Sequence, residues 1–77
     1  MRHEPKPQPR IDLDLEVKRF KPGWAGTQFT DGTHTVWIGK NLYVLRDKND
    51  RPVRVPMPGT TYKVNVPAWL AEKEGLI

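Results

Sequence analysis

Thr27-Gln28-Phe29-Thr30-Asp31-Gly32-Thr33-His34-Thr35-Val36-Trp37-Ile38 is the stretch that decides the fold. Two runs of threonine, aromatic and β-branched residues flank an Asp-Gly dipeptide. Such residues suit a pleated strand, and Asp-Gly suits a tight primed turn. The pattern predicts an antiparallel hairpin closed by a two-residue loop at Asp31-Gly32. That register pairs Thr30 with Thr33, Phe29 with His34, Gln28 with Thr35, Thr27 with Val36, Gly26 with Trp37 and Ala25 with Ile38. Opposed residues share a face. One face then carries Ala25, Thr27, Phe29, His34, Val36 and Ile38. The other carries Trp24 and Trp37, with the Trp37 ring as a lid over Gly26.

On the N-terminal side, residues 11–19 alternate: Ile11, Leu13, Leu15 and Val17 against Asp12, Asp14, Glu16 and Lys18. Period two over that length is a half-buried strand with one wet face. Lys21-Pro22-Gly23 turns the chain into the hairpin. Residues 1–10 place Pro5, Pro7 and Pro9 among polar residues, which predicts a flexible Pro-rich tail outside the ladder. On the C-terminal side, Gly39-Lys40-Asn41 signals a turn, residues 42–46 a strand, residues 47–50 a polar loop and residues 51–55 a returning strand. Pro52 marks that last strand as a sheet edge. Pro58-Gly59 suits the centre of a type II turn, and residues 60–66 alternate again.

The period changes at Pro67, whose missing N–H is harmless in a first helical turn. Residues 67–74 are expected as a short helix, capped by Gly75 and docked through Trp69 and Leu70. The sum is a mostly β chain: an SH3-like or OB-like barrel or meander of five to six strands with a short C-terminal helix. The helix comes last, whereas the usual OB helix lies between strands, which favours SH3-like. Residues 11–77 form one small domain.

Seventy-seven residues allow a modest core, and the absence of cysteine removes disulfides and thiolate metal sites. A cysteine-free chain fits a reducing cytoplasm. No apolar run approaches the ~18 residues that span a bilayer, and no apolar segment near the start reads as a secretory signal. The net charge is +4, and residues 18–63 hold nine basic against three acidic side chains. A basic middle suits phosphate backbones or an acidic protein face, and it equally suits plain solubility.

Val36-Trp37-Ile38-x-Lys40, with Val64-x-Val66-Pro67-x-Trp69-Leu70-Ala71-x-x-x-Gly75-Leu76, resembles a group of small uncharacterised proteins encoded in bacteriophages and prophages. Gly39 stands where that group usually has proline. The resemblance covers residues from about 34 to 77 and implies a setting, phage or bacterial cytoplasm, with no mechanism.

Catalysis is not expected. The chain has no serine and no cysteine, and its threonines, lysines, tyrosines and carboxylates fall in no catalytic pattern. His34 reads as a hairpin histidine at a sheet margin rather than a general base. Asp12, Asp14 and Glu16 share a face, but residues two apart in a strand sit ~6–7 Å apart, too far to hold one ion unaided. No glycine-rich phosphate loop appears, and no cofactor is expected.

Aromatic and basic residues interleave, and small β-barrels bind single strands by stacking bases on exposed rings while Lys and Arg track phosphates. The candidate nucleic-acid-binding residues are Arg19, Lys21, Trp24, Trp37, Lys40, Tyr43, Arg46 and Arg54. The competing reading packs Trp24 and Trp37 into the core with Trp69. A protein-binding adaptor or inhibitor is the alternative function, through the Pro52 edge strand or the acidic face of the first strand. Self-association through the same edge is open as well. A membrane partner is not expected.

Overall fold

The computed structural model describes residues 9–77. It has the strands β1 (Arg10–Arg19), β2 (Gly26–Thr30), β3 (Thr35–Gly39), β4 (Val44–Arg46) and β5 (Thr61–Pro67), then the helix α1 (Ala68–Lys73). The strands form one antiparallel sheet in the order β3-β2-β1-β5-β4. Among the described residues no ladder joins β3 to β4. Of the expected tail, residues 1–8 lie outside the described residues. Pro9 and Arg10 belong to the fold: the Pro9 carbonyl accepts the Ala68 N–H at 2.9 Å, and Arg10 opens β1.

The alternation of β1 explains its central place. Leu15 and Val17 are buried, with Ile11 and Leu13 packed beside them. They meet Phe29, Val36 and Ile38 from the hairpin, and Tyr62, Val64 and Val66 from β5. Burying one such side chain stabilises by about 1.5–3 kcal/mol, so this face holds the sheet together.

The hairpin forms one residue later than Asp31-Gly32 implies. Thr30 pairs with Thr35, Phe29 with Val36, Gln28 with Trp37, Thr27 with Ile38 and Gly26 with Gly39. A type I′ turn needs positive φ at both central residues, and of Asp31 and Gly32 only Gly32 has it, at 98°. Asp31 instead turns its carboxylate inward: Oδ1 accepts the backbone N–H of Thr33 at 2.8 Å and of His34 at 2.6 Å. Thr30 Oγ1 accepts the Gly32 N–H at 3.0 Å and donates to the His34 carbonyl at 2.8 Å. These side-chain bonds outcompete the primed turn. The pairing shifts by two residues, so the faces survive: Thr27, Phe29, Val36 and Ile38 point inward. Two details change. His34 leaves the Phe29 pairing for the loop, and Trp37 does not lie across from Gly26. A Cβ on Gly26 would stand 2.8 Å from the Ile38 carbonyl oxygen, so this glycine serves a close backbone approach.

The second expected hairpin is reduced. Only Val44–Arg46 is a strand, and residues 51–55 contribute an isolated bridge between Pro52 and Arg46. Pro52 has no N–H, so the ladder stops there; one further bond, Val53 N–H to the Leu45 carbonyl at 3.0 Å, ends it. The sheet therefore has five strands, and Pro52 marks no edge strand. The end strands of the sheet are β3 and β4; β4 carries the Pro52 bridge, whereas among the described residues β3 pairs with β2 alone.

Pro58-Gly59 turns as expected, closed by the Thr60 N–H on the Met57 carbonyl at 3.1 Å. Pro67 ends β5 and caps α1. The helix stops in a Schellman motif at Gly75 (φ 74°), with Leu76 N–H on the Ala71 carbonyl at 2.8 Å and Gly75 N–H on the Glu72 carbonyl at 3.2 Å. It docks through Leu70 and Ala71, both buried. Trp69 is 45 % exposed and is not the anchor the sequence implied.

Candidate nucleic-acid interface

A bulge in β1 builds the surface. Val17 stands opposite Phe29, but the next paired residue is Arg19, opposite Gln28, which leaves Lys18 as the extra residue. Bulges re-aim side chains. Strict alternation would turn Arg19 into the core; here Lys18 and Arg19 are both exposed, and Phe20 takes the inward place against the core. Gln28 in turn pairs with Trp37. Arg19, Gln28 and Trp37 therefore form one row across three strands on the outer face, spanning ~10 Å at the usual strand spacing.

Trp37 is 53 % exposed at the end of that row. The Trp24 ring lies beside it, with centroids 5.5 Å apart and planes tilted by 56°. Trp24 is half-buried. Its backbone N–H donates to the Lys21 carbonyl at 3.1 Å, and the turn so formed sets Lys21 Nζ 5.7 Å from the indole centroid, within cation–π range. Trp24 thus supports Trp37 and is itself partly covered, so one of the two indoles, Trp37, offers an open ring. Beside the bulge a groove of about 440 Å³ is lined by Lys18, Arg19, Phe20, Lys21, Trp24 and Pro58. Lys40 follows β3 and is exposed, its N–H tied to the Ala25 carbonyl at 2.8 Å.

Of the remaining candidates, Tyr43 and Arg46 stand apart from this row. Tyr43 is turned inward: its hydroxyl meets Thr27 Oγ1 at 2.7 Å and its ring stands edge-on to Phe29 at 5.2 Å. A ring held that way braces the core and is no stacking platform. Arg46 lies on β4 at the opposite end of the sheet, across from Lys63 and 3.5 Å from Asp50. Arg54 is exposed in the connection between β4 and β5. Sequence reasoning passed over Lys18, Gln28 and Pro58. Gln28 was readable as an outward neighbour of the tryptophan strand, whereas nothing in the alternation of residues 11–19 announces a bulge.

The Asp31 carboxyl sits below the ordinary aspartate range because the His34 and Thr33 N–H groups donate to it, and His34 Nδ1 lies 3.5 Å from its second oxygen. Asp12 accepts from Asn65 Nδ2 at 2.8 Å, and Asp14 faces Lys63. Among the described residues no group of three or more His, Cys, Asp or Glu side chains is placed to hold a metal ion. No described helix is long and apolar enough to cross a membrane. Comparison of the chain with protein-family models, with curated proteins and with solved structures finds no match.

Proposed function

We propose that this chain is a small non-enzymatic binding module for single-stranded nucleic acid, working in a bacterial or phage-infected cytoplasm. The observation that carries this reading is the outer row of Arg19, Gln28 and Trp37, in which an open indole and a guanidinium flank an amide. A base stacked on such a ring contributes about 1–3 kcal/mol, Gln28 can bond a base edge, and Arg19 can meet a phosphate. A single strand offers its base faces to this surface and a duplex hides them. The helix α1 has six residues and begins at the sheet, so it is unsuited to reading a major groove. The strand order is that of a meander rolled until β1 and β5 pair, which supports an SH3-like barrel parted between β3 and β4. Titrating labelled single-stranded and duplex oligonucleotides at two salt concentrations tests the reading. Single strands should bind more tightly, and binding should weaken as salt rises. Absence of binding at low salt defeats it.

The edge of β3, which among the described residues pairs with β2 alone, favours a second reading, a protein partner or a second copy adding a strand there. Such binding is carried by backbone hydrogen bonds and should respond little to salt.

A further inference from the structure

We infer that the groove beside the β1 bulge is a phosphate subsite adjoining the Trp37 ring, and that together they hold a two-nucleotide step. This rests on the single-strand reading above. Two features of the groove point to phosphate. Three of its six lining residues, Lys18, Arg19 and Lys21, are cationic, and none is acidic. Among the described residues no ion pair engages Arg19 or Lys21, and Lys18 has one long contact, 3.8 Å to Glu16 between half-exposed side chains. The apolar wall of Phe20, Trp24 and Pro58 gives a sugar a surface to lie on. Arg19 and Trp24 belong to both parts of the site: Arg19 heads the row that ends at Trp37, and Trp24 touches that ring.

A second depression, joined to the groove through the Lys18–Glu16 contact, sets the limit we infer for the footprint. It measures about 260 Å³ and is lined by Asp14, Glu16, Thr30, Asp31, Gly32 and Thr61. Three carboxylates repel a phosphate that tries to continue in that direction. A strand is therefore welcomed at the groove, stacks once on Trp37 and is turned away at the acidic rim.

The test is a length series at low salt: thymidine 5′-monophosphate, the 5′-phosphorylated dithymidylate, a tetramer and a dodecamer, followed by fluorescence quenching. The dinucleotide should bind within about tenfold of the dodecamer, and the dodecamer's log affinity should fall against log salt with a slope of about −1.4, from ~0.7 per phosphate for two phosphates. Asp14→Lys, a change on the exposed face outside the groove, should tighten the dodecamer and leave the dinucleotide unchanged. A dodecamer that binds while the dinucleotide does not, or a slope steeper than about −3, overturns the short footprint and leaves the single-strand reading intact. A dodecamer that fails to bind overturns both.

Discussion

The Trp24 and Trp37 rings meet with their centroids 5.5 Å apart and their planes tilted by 56°. That contact divides the labour between them. Trp24 is held from beneath by its turn and covered by Lys21, so it fixes where Trp37 stands. Trp37→Ala should weaken single-strand binding by about 5- to 160-fold, the range that 1–3 kcal/mol of stacking implies. Its indole is half in water, so urea denaturation should show a stability change of about 1 kcal/mol or less. Binding that survives the substitution excludes Trp37 as the platform.

Tyr43 is the contrasting aromatic. Its hydroxyl partners Thr27 Oγ1 at 2.7 Å, and Thr27 is fully buried. Tyr43→Phe strips that partner and should cost about 1–3 kcal/mol by denaturant midpoint, because a buried hydroxyl left unbonded loses its desolvation compensation. Oligonucleotide affinity should not change. An affinity loss at unchanged stability would put Tyr43 in the interface.

Gly26 sets how closely β2 and β3 approach. Gly26→Ala places a methyl 2.8 Å from the Ile38 carbonyl oxygen, a backbone atom that cannot move aside without opening the ladder. A loss of about 1–3 kcal/mol is expected, together with faster hydrogen exchange at the β2–β3 amides. An unperturbed variant would mean that the strands are not this close.

Asp31 links the hairpin loop to pH. Its folded carboxyl is lowered by the His34 and Thr33 N–H donors, so its stabilisation is complete above the ordinary aspartate value of about 3.9 and is lost as pH falls through the lowered folded value. Asp31→Asn keeps an acceptor oxygen and removes the charge. The stability gap between wild type and Asp31→Asn should shrink below about pH 4, as the carboxylate takes up its proton. A gap that does not shrink below about pH 4 contradicts the loop geometry.

Legibility in the sequence followed from how local each signal is. The alternation of Leu15 and Val17 with Glu16 and Lys18, the Pro58-Gly59 turn and the Gly75 cap depend on neighbours in the chain, and the structure has all three. The hairpin centre depended on whether Asp31 would use its backbone or its carboxylate, and composition does not decide that. Because the resulting shift is two residues, Trp37 still faces outward and only its partner changed, from Gly26 to Gln28. The Lys18 bulge is set by how β1 must serve β2 and β5 at once, with Val17 bonded through its N–H and carbonyl to Thr60 and Gly59. That is a long-range constraint, and the grouping of Lys18 and Arg19 with Trp24 was hidden for the same reason. Tyr43, Arg46 and Arg54 are candidates by charge and ring content alone, and the sheet order sets the strand of Arg46 at the other edge from the strand of Trp37.

The most direct measurement is backbone and indole amide chemical-shift mapping of the ¹⁵N-labelled chain titrated with an unlabelled thymidylate dodecamer at low salt. The indole N–H of Trp37 and the backbone amides of Lys18, Arg19, Gln28 and Trp37 should move together along one binding curve, with β4 and α1 still. Shifts confined to β4, α1 or the β3 backbone with the Trp37 indole unmoved, or no shifts at all, would contradict a ligand surface built on that row.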